Sequence, residues 1–126
     1  MAKQKTLGQL KQDVQKVFNK YIRERDKEQM CISCGRPGNQ AGHYHNVKQY
    51  DSLRYNPDNC HLQCAHCNMW LHGNLIEYRK GLIERIGEDR VLDLEDKAAE
   101  YKRTGHKWTR QELHEIKDHY KKLTFS

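Results

Sequence analysis

Apolar residues recur at three- and four-residue steps near the start of the chain: Leu7, Leu10, Val14, Val17, Phe18, Tyr21 and Ile22, with Lys11, Lys16, Lys20 and Arg23 between them. That spacing predicts an amphipathic helix with a basic solvent face. From Met30 to about Gly73 the stripe disappears, and cysteine, histidine, glycine and asparagine dominate. Such a stretch predicts loops and a hairpin held by something other than a large core. Helical spacing returns from Asn74 to Ile86, with Leu75, Tyr78, Leu82 and Ile86 on one face and Gly87 placed as a C-terminal cap. A third stripe runs through Val91, Leu94, Ala98 and Tyr101. The last helix is announced by Thr109 and Glu112, a capping box, and by Trp108 and Leu113 at the spacing of a hydrophobic staple. Leu113, Ile116, Tyr120 and Leu123 carry its stripe onward. No internal repeat or low-complexity linker interrupts the pattern. The reading is one α+β, mostly helical domain over residues 1–126: an N-terminal helix to 28, a centre at 29–87 and C-terminal helices at 88–126.

Composition sharpens this picture in two ways. Only 36% of the residues are hydrophobic, so the core must be small and the fold needs additional support. No apolar run approaches the ~20 residues of a membrane span, and the opening MAKQKTLGQL has no apolar signal-peptide segment, which points away from membrane and secreted classes. Lys and Arg number 23 against 17 Asp and Glu, a formal charge of +6 that favours an anionic partner such as nucleic acid.

The support is visible in the cysteines. Cys31-Ile32-Ser33-Cys34 and Cys64-Ala65-His66-Cys67 are two C-x-x-C motifs, each able to present two thiolates to one ion. Paired in this way they predict a closed, structural zinc site, with Gly35 supplying the turn of the first knuckle. Zinc binding contributes folding free energy, which a chain this lean in apolar residues needs. The odd Cys60 reads as a small buried core residue.

Between the knuckles lies AGHYHNVKQYDSLRYNPDNCHLQCAHCN. His43 and His45 are two apart and would share one side of a strand. Asn59 precedes the second knuckle by five residues, and Asn68 follows its last cysteine at the expected start of a helix. Taken singly, Asn59 fits an ordinary turn residue after Pro57-Asp58, His66 an exposed knuckle residue and His72 a helix-surface residue.

Together this arrangement resembles the HNH, or ββα-metal, nucleases. The resemblance implies a ββα-metal core with a histidine on the first strand, a middle asparagine before the second C-x-x-C, and a histidine or asparagine after it. Here these are His43, Asn59 and Asn68. Phage recombination endonuclease VII is similar in joining zinc knuckles to an asparagine after the last cysteine. The chain also resembles, over most of its length, the phage NinG (Rap) family of recombination endonucleases, through YIRERD (Tyr21–Asp26), CISCG (Cys31–Gly35), AGHY (Ala41–Tyr44), LRYN (Leu53–Asn56), QCAHCN (Gln63–Asn68) and GNLIEYRKGLIERIG (Gly73–Gly87). That likeness implies a structure-specific endonuclease for branched recombination DNA, such as Holliday junctions and D-loops, working in the cytoplasm of a phage-infected host. The chain starts close to the first matching helix, so the basic, cysteine-bearing N-terminal region of longer family members is expected to be missing.

One position departs from the HNH pattern. Many of those enzymes carry an acidic metal ligand just before the first histidine, where this chain has Gly42. Two arrangements follow. Either His43 binds the catalytic Mg²⁺ or Mn²⁺ and His45 or His61 is the base, or His43 is the base and Asn68 holds the ion with His61, His72 or a nearby carboxylate; the second is favoured. In either, neutral imidazole takes a proton from water near pH 7, and Asn59 fixes the hairpin or orients the base. Lys102, Arg103, Lys107 and Arg110 near Trp108 are candidate phosphate contacts, and a solvated loop explains them equally well. Symmetric cutting of a junction needs two active sites, so a homodimer is expected, with the wide apolar face of the N-terminal helix as its contact. The competing class is a non-catalytic zinc-stapled nucleic-acid-binding module.

Overall fold

The computed structural model describes residues 4–125; the ends of the expected 1–126 domain lie outside the described residues. Four helices surround one small hairpin: α1 (Leu7–Arg25), β1 (Gln40–His43), β2 (Cys60–Gln63), α2 (Leu75–Ile86), α3 (Glu88–Thr104) and α4 (Arg110–Phe125). The protein is thus mostly helical with a two-stranded antiparallel sheet, in the register Gln40 to Gln63, Ala41 to Leu62, Gly42 to His61 and His43 to Cys60. Two short 3₁₀ turns, Asp51–Leu53 and Pro57–Asn59, lie in the connection between the strands, and a π-turn, His66–Trp70, follows β2. Among the described residues no helix is long and apolar enough to cross a membrane.

The hairpin separates two apolar clusters. On one face Leu10, Val14, Phe18 and Ile22 of α1 pack with Leu113 and Tyr120 of α4, with Tyr55 and with Cys60. On the other, Tyr78 and Leu82 of α2 join Val91, Leu94 and Ala98 of α3, together with Ile32 and Leu53. Period-two alternation in the strands makes this division possible, because neighbouring residues face opposite sides. Cys60 and Ala41 therefore meet α1, while the ring of His61 meets Tyr78 of α2. The buried Cys60 is a core residue, as its spacing away from the knuckles suggested.

Helix ends follow local chemistry. Thr109 and Glu112 close the expected box at α4, Glu112 N–H donating to the Thr109 hydroxyl at 3.1 Å and Thr109 N–H to the Glu112 carboxylate at 3.0 Å. Thr6 and Gln9 form a second box at α1. Gly87, at φ 90°, separates α2 from α3, a backbone angle that side chains other than hydrogen rarely tolerate.

The N-terminal helix corrects one expectation. Most of its apolar face is covered within the chain, because α4 lies along it: Phe18 and Ile22 are fully buried, with Tyr120 edge-on to Phe18 at 4.9 Å, while Leu7 stays exposed. Little surplus apolar surface is therefore left on α1 for the dimer contact expected there.

Candidate metal centre and nuclease-like site

The two knuckles converge. The sulfurs of Cys31, Cys34, Cys64 and Cys67 all lie within 4.8 Å of one another, and the Cys34 and Cys64 sulfurs are 3.7 Å apart. A tetrahedron with Zn–S bonds of about 2.3 Å has edges of about 3.8 Å, so this donor set fits zinc. Burial opposes ionisation of Cys31, but the N–H groups of Cys34, Cys64 and Ser33 outweigh it and bring the thiol down to about 7. Burial takes Cys67 the other way, up to about 12, against a 3.5 Å contact from the Asn74 amide. Gly35 has φ 76°, the left-handed turn the first knuckle requires.

The knuckle framework is joined to the hairpin through β2. Leu62 N–H donates to Asp26 at 3.0 Å, and Ile32 N–H donates to the Leu62 carbonyl at 2.9 Å, so the outer edge of β2 is closed. Asp26 is itself held by Arg25 at 2.8 and 3.0 Å, and the same guanidinium donates to the carbonyls of Pro57 and Cys60. This clamp was not identified from the sequence, although both residues lie in the YIRERD stretch; a charged pair at a helix end gave no sign of its distant partners.

Beside the cluster is an open cavity of about 450 Å³ lined by Ala41, His43, Asn46, Val47, Asn68, His72 and Gly73. Three of the candidate residues, His43, Asn68 and His72, therefore meet at one place. The Nε2 of His43 lies 3.0 Å from the Arg54 carbonyl. A carbonyl only accepts, so Nε2 carries the hydrogen and Nδ1 keeps its lone pair. Burial lowers the pKa of this ring, and the nearby Arg54 charge adds to that against the hydrogen bond to the Arg54 carbonyl. Arg54 is fixed in turn by Asp51 at 2.9 Å and Gln15 at 3.4 Å.

Asn68 sits in the π-turn after the second knuckle. Its Nδ2 donates to Gln40 Oε1 at 2.8 Å, and among the described residues no donor reaches its Oδ1. His72 is exposed, at φ 51°, on the loop leading to α2. Asn59 is wholly buried and does not line the cavity. Its Oδ1 accepts from His45 N–H at 2.8 Å, and its Nδ2 donates to the carbonyls of His45 and Leu53 at 3.0 and 3.2 Å. Of its two expected roles the structure supports fixing the hairpin.

Two histidines stand elsewhere than expected. His45 does not share a strand face with His43, because β1 ends at His43 and Asn59 draws the following backbone into a bend. Its ring lies between Tyr44 and Tyr50, at 4.6 and 4.8 Å between centroids. His61 is buried on the opposite face of the hairpin, and burial foremost, with the Arg25 charge, depresses its pKa to about 3. Neither ring reaches the cavity that holds His43. Of the basic group near Trp108, Arg110 donates to the Lys5 carbonyl and Lys102 lies over the Tyr50 ring at 4.5 Å, so both have partners within the fold.

Gln63 is a site residue that sequence reasoning passed over, although it opens the QCAHCN stretch. Its side chain is fully buried; Nε2 donates to the Gly73 carbonyl at 2.8 Å and to Ser33 at 2.9 Å, while Oε1 has no hydrogen-bond partner. A Cβ placed on Gly42 would lie 1.8 Å from that oxygen and 3.1 Å from Asn68 Oδ1. Two amide oxygens thus face the space that any side chain at position 42 would fill. Hard divalent cations take oxygen ligands of this kind, and a buried oxygen left unpaired costs about 1–3 kcal/mol, so the residues present fit such an ion.

Hairpin, four-thiol cluster and surrounding helices define a small, mostly helical protein with a four-cysteine cluster that fits a metal ion. The chain belongs to the NinG family: the family model described as bacteriophage lambda NinG protein matches residues 1–125. It is 40% identical over 109 residues to the protein ninG of Escherichia phage lambda, 42% to that of Salmonella phage P22 and 39% to that of Escherichia phage 933W. Each alignment covers 84% of this chain, whereas the chain spans about half the length of these curated relatives (51–52%). No solved structure matches.

Proposed function

We propose that this chain is an HNH-type, metal-dependent endonuclease that cuts branched recombination DNA such as Holliday junctions and D-loops. The observation that carries the reading is His43: its Nε2 hydrogen is committed to the Arg54 carbonyl, and its ring lines the same cavity as Asn68 and His72. That tautomer leaves Nδ1 to accept a proton from water, and burial keeps the ring neutral at physiological pH. Asn59 holds the backbone that follows His43, through two bonds to His45, and so limits movement of the base. Asn68, with His72, would hold Mg²⁺ or Mn²⁺, which when bound stabilises the charge developing on the leaving 3′-oxygen. The cysteine cluster, with zinc, would keep the π-turn of Asn68 against the hairpin. A formal charge of +6 suits a polyanion, and the exposed Met69 and Trp70 in the turn of Asn68 offer bases a stacking surface. A homodimer on the junction and action in the host cytoplasm belong to the same reading, with the dimer contact elsewhere than the covered face of α1.

The test is incubation of the zinc-loaded protein with an end-labelled four-way junction and magnesium or manganese. Paired cuts that EDTA abolishes are the expected result. Binding without cleavage in either metal overturns the reading and leaves a zinc-stapled binding module.

A further inference from the structure

Gln63 occupies the place where a side chain on Gly42 would go. Its oxygen would stand 1.8 Å from a Cβ there, and real Cβ atoms essentially never come within 3.0 Å of a neighbour. So the glycine and the glutamine form one unit, with β2 filling a space that β1 leaves open. The orientation of the amide is fixed: Nε2 must face the Gly73 carbonyl, which can only accept, and Oε1 must therefore face Gly42. Asn68 donates its Nδ2 to Gln40 Oε1 at 2.8 Å, and Gln40 in turn donates its Nε2 toward the Met69 sulfur at 3.6 Å, which turns Asn68 Oδ1 toward Gly42. The result is two side-chain oxygens turned toward one point, one of them wholly buried and unpartnered. Acceptors converging without a donor call for a cation.

On the reading of this site as a nuclease, we propose that Gln63 Oε1 is a ligand of the catalytic divalent ion together with Asn68 Oδ1, in the position that an acidic residue at 42 would otherwise serve. The ligand comes from the second strand instead of the first, and it is neutral. Neutral oxygens bind Mg²⁺ and Mn²⁺ more weakly than carboxylates, so binding is weak in free protein and strengthened by the phosphate of bound DNA.

Manganese binding to the full, zinc-loaded chain, read from the free-ion EPR signal, tests this without recourse to activity. Gln63→Met is expected to weaken manganese binding tenfold or more while one zinc per chain is retained. The double variant Gly42→Asp with Gln63→Ala, which returns a carboxylate to the vacated space, is expected to restore wild-type affinity or exceed it. Unchanged affinity in Gln63→Met overturns the inference and leaves the nuclease reading standing. Absence of any manganese binding by the wild type, with an uncleaved junction bound as well as without, overturns both. Should Gln63→Met fail to fold, magnesium titration of the wild type decides: the carbon-13 signal of the Gln63 side-chain carbonyl is expected to shift together with that of Asn68. A shift at Asn68 alone overturns the assignment.

Discussion

The helical frame and the cysteine-rich centre are held by different physics. Between α1 and α4 the contact is apolar and continuous, with Leu10, Val14, Phe18, Ile22, Leu113 and Tyr120 in one cluster. Between residues 30 and 73 few large apolar side chains are buried; order comes from four converging thiols and from side chains that bond distant backbone, such as Asp26, Asn59 and Gln63. A frame of the first kind loses stability in proportion to the volume removed. A centre of the second kind depends on a few irreplaceable atoms, and those same atoms place His43 and Asn68 at the cavity. Stability and the proposed site are therefore concentrated in one region.

That contrast can be broken, most sharply at zinc. Cys64→Ser removes a ligand from a closed site, and the centre should lose its fold, with loss of bound zinc and a melting transition displaced by more than any core truncation displaces it. A variant that keeps its zinc and its full melting temperature would show the centre standing without the metal. Phe18→Ala should cost about 3–5 kcal/mol in chemical denaturation, as expected for a buried aromatic, yet keep one zinc per chain, because the frame and the knuckles are separate clusters. Asn59→Ala should cost about 2–3 kcal/mol with little change in volume, since it strands the N–H and carbonyl of His45 and removes one of the two donors to the Leu53 carbonyl. Its loss should also slow cleavage, through movement of the segment after His43. An effect below about 0.5 kcal/mol, the range of unremarkable surface substitutions, would remove Asn59 from the account.

The smallest expected effect is in pH. Burial places the His43 pKa below its ordinary 6.5, and in the proposed role of base the ring would work only when neutral. Cleavage at subsaturating DNA should therefore have its acid midpoint below 6.5, declining as pH falls through the lower, folded value. The same shift makes folding less favourable in acid: the unfolded chain takes up this proton first, so the stability His43 contributes is complete above 6.5 and lost as pH falls. A cleavage midpoint above 6.5 would mean that another group is the base.

Local chemistry was legible in the sequence. The stripes of α1 to α4, the Thr109–Glu112 box, the Gly87 break and the clustering of the four paired cysteines each depend on residues a few positions apart, or on a spacing that has few other uses. What remained hidden depends on partners far along the chain. His45 turns away from His43 because Asn59, 14 residues later, captures its backbone. His61 is buried because strand alternation turns it toward Tyr78, which no local pattern reveals. The apolar width of α1 is matched by α4 at the opposite end of the chain, and surplus surface in one helix cannot be judged without its neighbour. Gln63 looked like a spacer, and only the missing side chain of Gly42 gives its oxygen a direction.

His43 carries the central claim, and single-turnover cleavage of a four-way junction by His43→Ala, measured beside manganese affinity and zinc content, tests it most directly. The account predicts a 10²- to 10⁴-fold loss of rate, with zinc retained, junction binding retained and manganese affinity near that of the wild type. Wild-type cleavage by His43→Ala would contradict the account.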